Sequence, residues 1–339
     1  MIFGLVMRLL VITLVVGGPG LWAAIAAAQD LRFFRIATGS AVSTYFPVGM
    51  DLAWAISSPM GSRSCDKGGS CGVPGLVAVA ATSQGSVANV NAVASGAADS
   101  ALALADVVYS AYSGDAFDSR GAKLADLRVI ANLYPETVHL VARRGAGIKA
   151  VRDLVGKRVS LDKPGSGTRH NAETILSAYN VRIGQLRIFE VDPGEAVDLF
   201  VNNELDAMFL VAGYPAPAVT ELAEKEIAEL VAIRGRAADL AVRRHRFFAL
   251  DSIPPGTYPG MDGEVPTLSV GTQWVVSVSA DADLIYQITK ALWHPRNRAF
   301  LDAGHAKSKL IRLSTALTGI AIPLHPGAER YYREVGALP

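Results

Sequence analysis

A chain of 339 residues is long enough for two ordinary domains, and with 50% hydrophobic and 19% charged residues it should be packed and globular rather than disordered. Its 32 basic and 31 acidic residues nearly cancel, so nothing implies an electrostatic partner such as nucleic acid or an anionic membrane surface.

Residues 1–28 stand apart. Arg8 precedes the apolar run Leu9–Val16, and the small residues Ala26-Ala27-Ala28 come just before Gln29. This is the pattern of a cleaved secretory signal peptide, and it places the mature protein in the periplasm. A membrane anchor is the alternative. However, Gly17-Gly18-Pro19-Gly20 breaks the run, and no other stretch approaches a bilayer-spanning length. No Cys follows the small residues, which argues against a lipid anchor. The two cysteines, Cys65 and Cys71, flank a Gly-rich loop. In an exported chain they are expected to form a disulfide; a metal pair is the alternative, with no His nearby to complete four ligands. No metal and no cofactor is expected.

In chain order, Arg32–Ala37 alternates as a strand. It runs into the Thr/Ser/Gly turn Thr38–Tyr45, and a helix follows from near Pro47 to Ile56. Leu76–Ala81 is a second strand, and Ser86 starts a helix running from Val87 to about Ser95. An apolar strand begins after Asp99. Leu127–Arg143, which holds Tyr134-Pro135-Glu136, reads as a crossing between two halves. Val159-Ser160-Leu161 then runs into the turn Asp162-Lys163-Pro164-Gly165-Ser166-Gly167-Thr168-Arg169-His170-Asn171, and a helix of good formers follows over Ala172–Ala178. Helix-start amides lack intrahelical partners and sit at the positive end of the helix dipole. Glycines allow close approach, Ser166 and Thr168 add hydroxyls, and Arg169 offers a planar fork. The turn is an anion cradle in prospect, and Thr38–Tyr45 is a second of the same kind.

The segment Ser86–Leu102 (helix, turn with Asp99, apolar strand) has the same layout as Pro193–Leu210, where Asp206 takes the place of Asp99. Two related α/β lobes are therefore expected rather than one doubly wound sheet. Further on, Glu221–Leu230 is expected as a helix and Phe247–Ile253 as the return crossing. Thr267–Val270 and Trp274–Ser277 should be two strands, Asp283–Trp293 a helix, and a last helical region should end near Arg333.

Ala37-Thr38-Gly39-Ser40 with Thr44-Tyr45, Ser86-x-x-Asn89, Gly165-Ser166-Gly167-Thr168-Arg169, Ala212-Gly213-Tyr214-Pro215, Ile253-Pro254-x-Gly256-x-Tyr258 and Leu324-His325-Pro326-Gly327-Ala328 occur in this order. Together they resemble the TAXI solute-binding proteins of TRAP transporters, and the resemblance spans essentially the whole mature chain. It implies a type II-like periplasmic binding protein with two lobes, each a mixed sheet flanked by helices, joined by a hinge. Residues 29–140 plus 250–339 would form lobe one and residues 141–249 lobe two. The lobes would close on a small solute and deliver it, as a monomer, to a membrane permease driven by an ion gradient. One departure is Ser43, where the family usually has Gly; it bears on the shape of the first turn.

The expected ligand-binding residues are Thr38, Ser40, Thr44, Tyr45, Asn89 and Tyr134 from lobe one, and Ser166, Gly167, Thr168, Arg169 and Gly213 from lobe two. Hydroxyls, amides and one cation suit an organic anion such as a dicarboxylate, an oxoacid or an acidic amino acid; Asp106 could hold a ligand ammonium. Blander roles stand beside these. Ser86 and Ser166 are common helix caps, Arg169 can pair with Glu173 on a solvated face, and Asp106 can cap the helix that follows it. The chain lacks a G-x-S-x-G elbow, a G-K-[ST] phosphate loop and any H-E-x-x-H spacing, so no enzyme is expected. A serine hydrolase pairing Ser166 with His325 is the remote alternative, and a sensing module for a membrane kinase is the nearer one.

Overall fold

The computed structural model describes residues 31–114 and 123–339, within one compact unit from Leu31 to Pro339. The expected signal peptide lies outside the described residues. Among the described residues no helix is long and apolar enough to cross a membrane.

The first half comprises β1 (Arg32–Ala37), α1 (Tyr45–Ile56), the short pair β2 (Ser57–Ser58) and β3 (Val73–Pro74), β4 (Leu76–Ala81), α2 (Ser86–Ala94), β5 (Ser100–Leu104) and α3 (Ala105–Ser113). The long strand β6 (Leu127–Arg143) leads to the second half: β7 (Arg158–Ser160), α4 (Gly167–Ala178), β8 (Arg187–Phe189), α5 (Pro193–Val201), β9 (Ala207–Ala212) and α6 (Pro217–Glu224). Then come β10 (Ala228–Leu230), α7 (Arg236–Arg244), β11 (Phe248–Ile253) and the second long strand β12 (Val265–Ser277). The chain ends with α8 (Ala282–Leu292), α9 (Arg298–Ala303) and α10 (Pro326–Glu334).

The main sheet runs β4-β1-β5-β12-β6-β9-β7-β8, with β10 added beside β6 and β11 beside β12. Each end is a parallel triplet of the same order, β4-β1-β5 and β8-β7-β9. The two triplets are joined through the antiparallel strands β12 and β6, which pair with each other from Leu127–Ser277 to Thr137–Ser269. The internal repeat is therefore present in the topology, although one continuous ladder carries both copies. β5 is buried along its whole length, as expected for a strand covered on both faces.

The repeat also holds at atomic detail. The Asp99 carboxylate accepts the Arg35 backbone amide at 2.7 Å and its Nε at 3.2 Å. The Asp206 carboxylate accepts the same two groups of Arg158 at 2.9 and 3.2 Å. In each half an aspartate just before a buried strand clamps the neighbouring parallel strand.

Four local expectations need correction. Thr267–Val270 and Trp274–Ser277 belong to one strand; the break in apolar pattern at Gly271-Thr272-Gln273 marks a register shift against β6, not a strand end. The helix expected over Glu221–Leu230 stops at Glu224, because Glu226 takes a left-handed φ of 56° and Ala228–Leu230 pairs with β6. Phe248–Ile253 lies antiparallel along β12 at the sheet's side, and the return is made by β12. The helix after Thr38–Ser43 starts at Tyr45, two residues before Pro47.

Cys65 and Cys71 form the disulfide, with Cα atoms 4.6 Å apart. Among the described residues the grouping with metal-ligand spacing is Cys65, Cys71 and His294. Both of its sulfurs are in that bond.

Candidate functional site

The carboxyl ends of the two parallel triplets face each other, and their loops enclose a cavity of about 190 Å³. Strand ends in open α/β sheets are where such folds expose loop donors. The first half contributes Ser40, Ser43, Thr44 and Tyr45 from the β1–α1 turn, and Ser83, Gln84, Gly85 and Ser86 from the β4–α2 turn. The second contributes Asp162, Lys163, Ser166, Gly167 and Thr168 from the β7–α4 turn, and Asp192 and Pro193 from the β8–α5 turn. Glu136, on β6, supplies the wall between them.

Helices α1, α2 and α4 all begin at this cavity. Their first-turn amides have no intrahelical acceptor. Hydrogen bonds take up Val48 N, Ala88 N, Asn89 N and Arg169 N two or three residues further in. The leading amides at Tyr45, Ser86 and Gly167 thus converge on one space, in the arrangement that suits an anion. The α5 start is already served: the Asp192 carboxylate accepts Glu195 N at 3.0 Å and Lys163 Nζ at 2.8 Å. That lysine holds the Asp192 carboxyl below its usual range. Burial pushes the Asp162 carboxyl up to about 6.

The two halves touch across the cavity. Gly213 N donates to Thr44 Oγ1 at 2.8 Å, and Ala88 N to Gly165 O at 3.0 Å. Two glycines permit the approach. A Cβ on Gly167 would come 2.6 Å from both Leu104 Cδ1 and Ser86 Oγ, and Gly85, with φ of 108°, would place one 3.4 Å from Ser166 Cα. A side chain at 167 would have to displace Leu104 and Ser86 or push the halves apart. Ser43 lies outside the left-handed region and donates its hydroxyl to Ser40 O at 2.8 Å, so this turn closes without the glycine usual in the family it resembles.

Of the eleven expected site residues, the structure brings six to the cavity: Ser40, Thr44, Tyr45, Ser166, Gly167 and Thr168. Several hydroxyls already have partners. Ser166 Oγ caps α4 by accepting Arg169 N, and Thr168 Oγ1 accepts Val211 N at 3.1 Å. Tyr45 Oη and Ser86 Oγ share a bond of 3.3 Å.

The other five lie outside the cavity lining. Thr38 is fully buried and donates to Ala81 O at 2.7 Å, joining β1 to β4. Asn89 Nδ2 donates to Thr38 O and Leu102 O, both at 2.6 Å, while its Oδ1 accepts from Ser83 at 2.6 Å. It positions the turns from beneath them. Tyr134 is buried behind the wall beside Thr272. Arg169 turns outward to Glu173 and Glu190, so the paired alternative describes it and the cavity lacks the expected guanidinium. Gly213 is a cross-link to Thr44 rather than part of the lining. Asp106 is bonded by Asn171 Nδ2 at 2.8 Å and faces His170 at 3.5 Å, which leaves it outside the cavity too. His325 caps α10 through Nδ1, with Nε2 against Ala280 O. It and Ser166 are each committed elsewhere, so no nucleophile–base pair forms between them.

The motif residue Tyr258 supports the second half's turn. Its hydroxyl accepts Ala216 N at 2.9 Å and meets His139 Nε2 at 2.8 Å. Sequence reasoning gave no role to Glu136 or Lys307. An acid within the apolar run Val129–Ala142 was the available signal for the first. Lys307 is nearly buried, with Nζ 4.3 Å from the Tyr214 ring centre.

The NMT1-like family model matches residues 36–336. Among solved structures, one of a protein from Bordetella bronchiseptica RB50 is similar at 14% identity and a TM-score of 0.52, over 90% of this chain and 82% of that one. An alkanesulfonate-binding protein from Xanthomonas axonopodis pv. citri, bound to MOPS, is 16% identical with a TM-score of 0.44, over 90% and 84%. The ligand-binding component of an ABC-type import system from Staphylococcus aureus is 9% identical with a TM-score of 0.47, over 91% and 93%. At these identities the likeness is one of fold, a mixed sheet flanked by helices. With 36–336 matched, the chain belongs to the NMT1-like family.

Proposed function

We propose that the chain is an extracytoplasmic solute receptor, not an enzyme, that closes two halves over a small organic anion. The observation that carries this reading is the single cavity shared by the turn at Thr44 and the turn at Ser166, on which three helix starts converge. An anion there meets amide and hydroxyl donors from both sides, and only the closed arrangement satisfies it from both. Lobe one takes residues 29–140 and the chain beyond the return through β12, and lobe two takes the residues between, with β6 and β12 as the hinge. The cavity volume suits a solute of a few carbons, such as a dicarboxylate or an oxoacid.

The receiving partner in this proposal is a membrane permease. Binding-protein names among the similar folds and the six ordered motifs that resemble the TAXI proteins support that role. The motifs favour an ion-gradient-driven TRAP permease, with the receptor acting as a monomer after export. Thermal-shift screening against dicarboxylates, oxoacids, sulfonates and amino acids tests the reading, because a ligand that binds only the folded state raises the melting temperature. A shift with a small organic anion is expected; no shift across all four classes contradicts the receptor role.

A further inference from the structure

Glu136 is 1% exposed, it lines the cavity from the middle of β6, and its Oε1 has no hydrogen-bond partner. The groups around it come from four segments. Tyr134 is its neighbour on β6, Thr272 lies opposite Tyr134 on β12, Tyr45 stands at the start of α1, and Lys307 reaches in from the segment before Ser308. No described cation forms an ion pair with it. Lys307 lies over the Tyr214 ring and acts on the carboxyl only from a distance. The Tyr134 and Thr272 hydroxyls are also without partners of normal geometry. The remaining titratable groups of the cavity are Asp162, Asp192 and Lys163 on the opposite wall.

An ionised carboxylate buried without a salt bridge, and with one oxygen left unpaired, is disfavoured, and such a group takes up a proton instead. We propose that Glu136 meets the solute as an un-ionised acid and donates its O–H to an acceptor oxygen of the solute, so that binding is linked to one proton. This deepens the receptor reading and rests on it. It names a recognition group that the helix starts do not supply: they take the solute's charge, and Glu136 takes a carbonyl or carboxylate oxygen at the hinge. No covalent bond changes. Where free Glu136 is ionised, binding draws one proton from solution; where it is already protonated, none moves.

The direction of the pH effect follows. Burial raises the free carboxyl to about 8, against the lowering influence of Lys307 and Tyr134. A solute that accepts from the protonated form raises it further. Affinity is therefore level below about pH 8 and falls by up to about tenfold per pH unit above it.

The test uses the mature protein with succinate, malate and 2-oxoglutarate as probes, titrated calorimetrically in buffers of different ionisation enthalpy. Proton uptake near zero at about pH 6 and approaching one above pH 8 is expected. Glu136→Gln should bind several-fold more weakly at the lower pH and lose the alkaline slope. Lys307→Met should move the slope to higher pH, since the lowering charge is gone. A wild-type slope retained in Glu136→Gln, or proton release on binding, as an ionised Glu136 meeting a ligand ammonium would give, overturns the proposal. Infrared spectroscopy of the ligand-free protein at about pH 6 decides it independently of any probe. A component of the carboxylic C=O band should be present in the wild type and missing from Glu136→Gln, over and above the contribution of Asp162, whose carboxyl lies at about 6; identical spectra overturn the inference even if no probe binds, whereas failure of every probe with that component present counts against the receptor reading alone.

Discussion

Thr44 Oγ1 accepts the backbone amide of Gly213 at 2.8 Å, and this bond joins the first turn of one half to the last strand end of the other. Thr44 is 3% exposed, so its loss strands a buried N–H. Thr44→Val should cost about 1–3 kcal/mol, the usual penalty for such a group, read as a lowered denaturation midpoint. The same change should weaken solute affinity, because the bond exists only while the halves meet.

Gly167→Ala tests closure from the other direction. Its methyl would lie 2.6 Å from Leu104 Cδ1 and Ser86 Oγ, both in the opposite half. Each half can fold around the added carbon, but the two cannot approach as before. Solute binding should fall by more than tenfold while the thermal transition of the ligand-free protein changes little.

Asn89 was expected in the binding set and is found beneath it. Asn89→Ala removes the donor to Thr38 O and Leu102 O and the acceptor for Ser83. A loss of about 2–4 kcal/mol in denaturant unfolding is expected, from several buried groups left unpaired. Wild-type stability in this variant would restore Asn89 to a ligand role.

The two aspartate clamps should differ in strength. The side chains of Arg158 and Asp206 are 31% and 18% exposed, against 50% and 38% for Arg35 and Asp99. Asp206→Asn should cost about 1–2 kcal/mol and Asp99→Asn less than about 1, since exposed pairs are screened. The Arg158 hydrogen bond holds the Asp206 carboxyl below its ordinary value. The stability it confers is present above the unfolded value of about 4 and is lost as pH falls below it.

A second pH effect lies in His139. Burial lowers it to about 4 while it remains bonded to Tyr258 and Thr137 O. The unfolded imidazole takes up a proton near 6.5, so the contribution is complete above about pH 6.5 and is lost as the pH falls toward 4. Urea titrations across this window should show wild-type stability falling, with a smaller fall in His139→Asn.

Much of the fold was legible because it rests on local chemistry. Strand, polar turn and helix repeat with an aspartate just before a buried strand at matching places, and Asp99 and Asp206 reveal the duplication before any coordinates do. The long strands were less legible: Gly271-Thr272-Gln273 reads as a break, although pairing with β6 carries β12 straight through it. At the site, turn residues such as Thr44, Ser166 and Thr168 were visible from type and spacing. Arg169 misled, since its partner Glu190 lies on a neighbouring segment, and only Glu173 is visible at helical spacing. Glu136 was hidden for the opposite reason. Its importance comes from burial without a partner, which spacing does not encode.

The central claim is that two halves close on one solute between the turns at Thr44 and Ser166. Spin labels on the exposed residues Trp54 and Val201, one in each half, give the direct measurement by pulsed dipolar spectroscopy. With the anion identified by thermal shift, the distance distribution should narrow and move to shorter values at saturation. An unchanged distribution under saturating ligand would contradict closure.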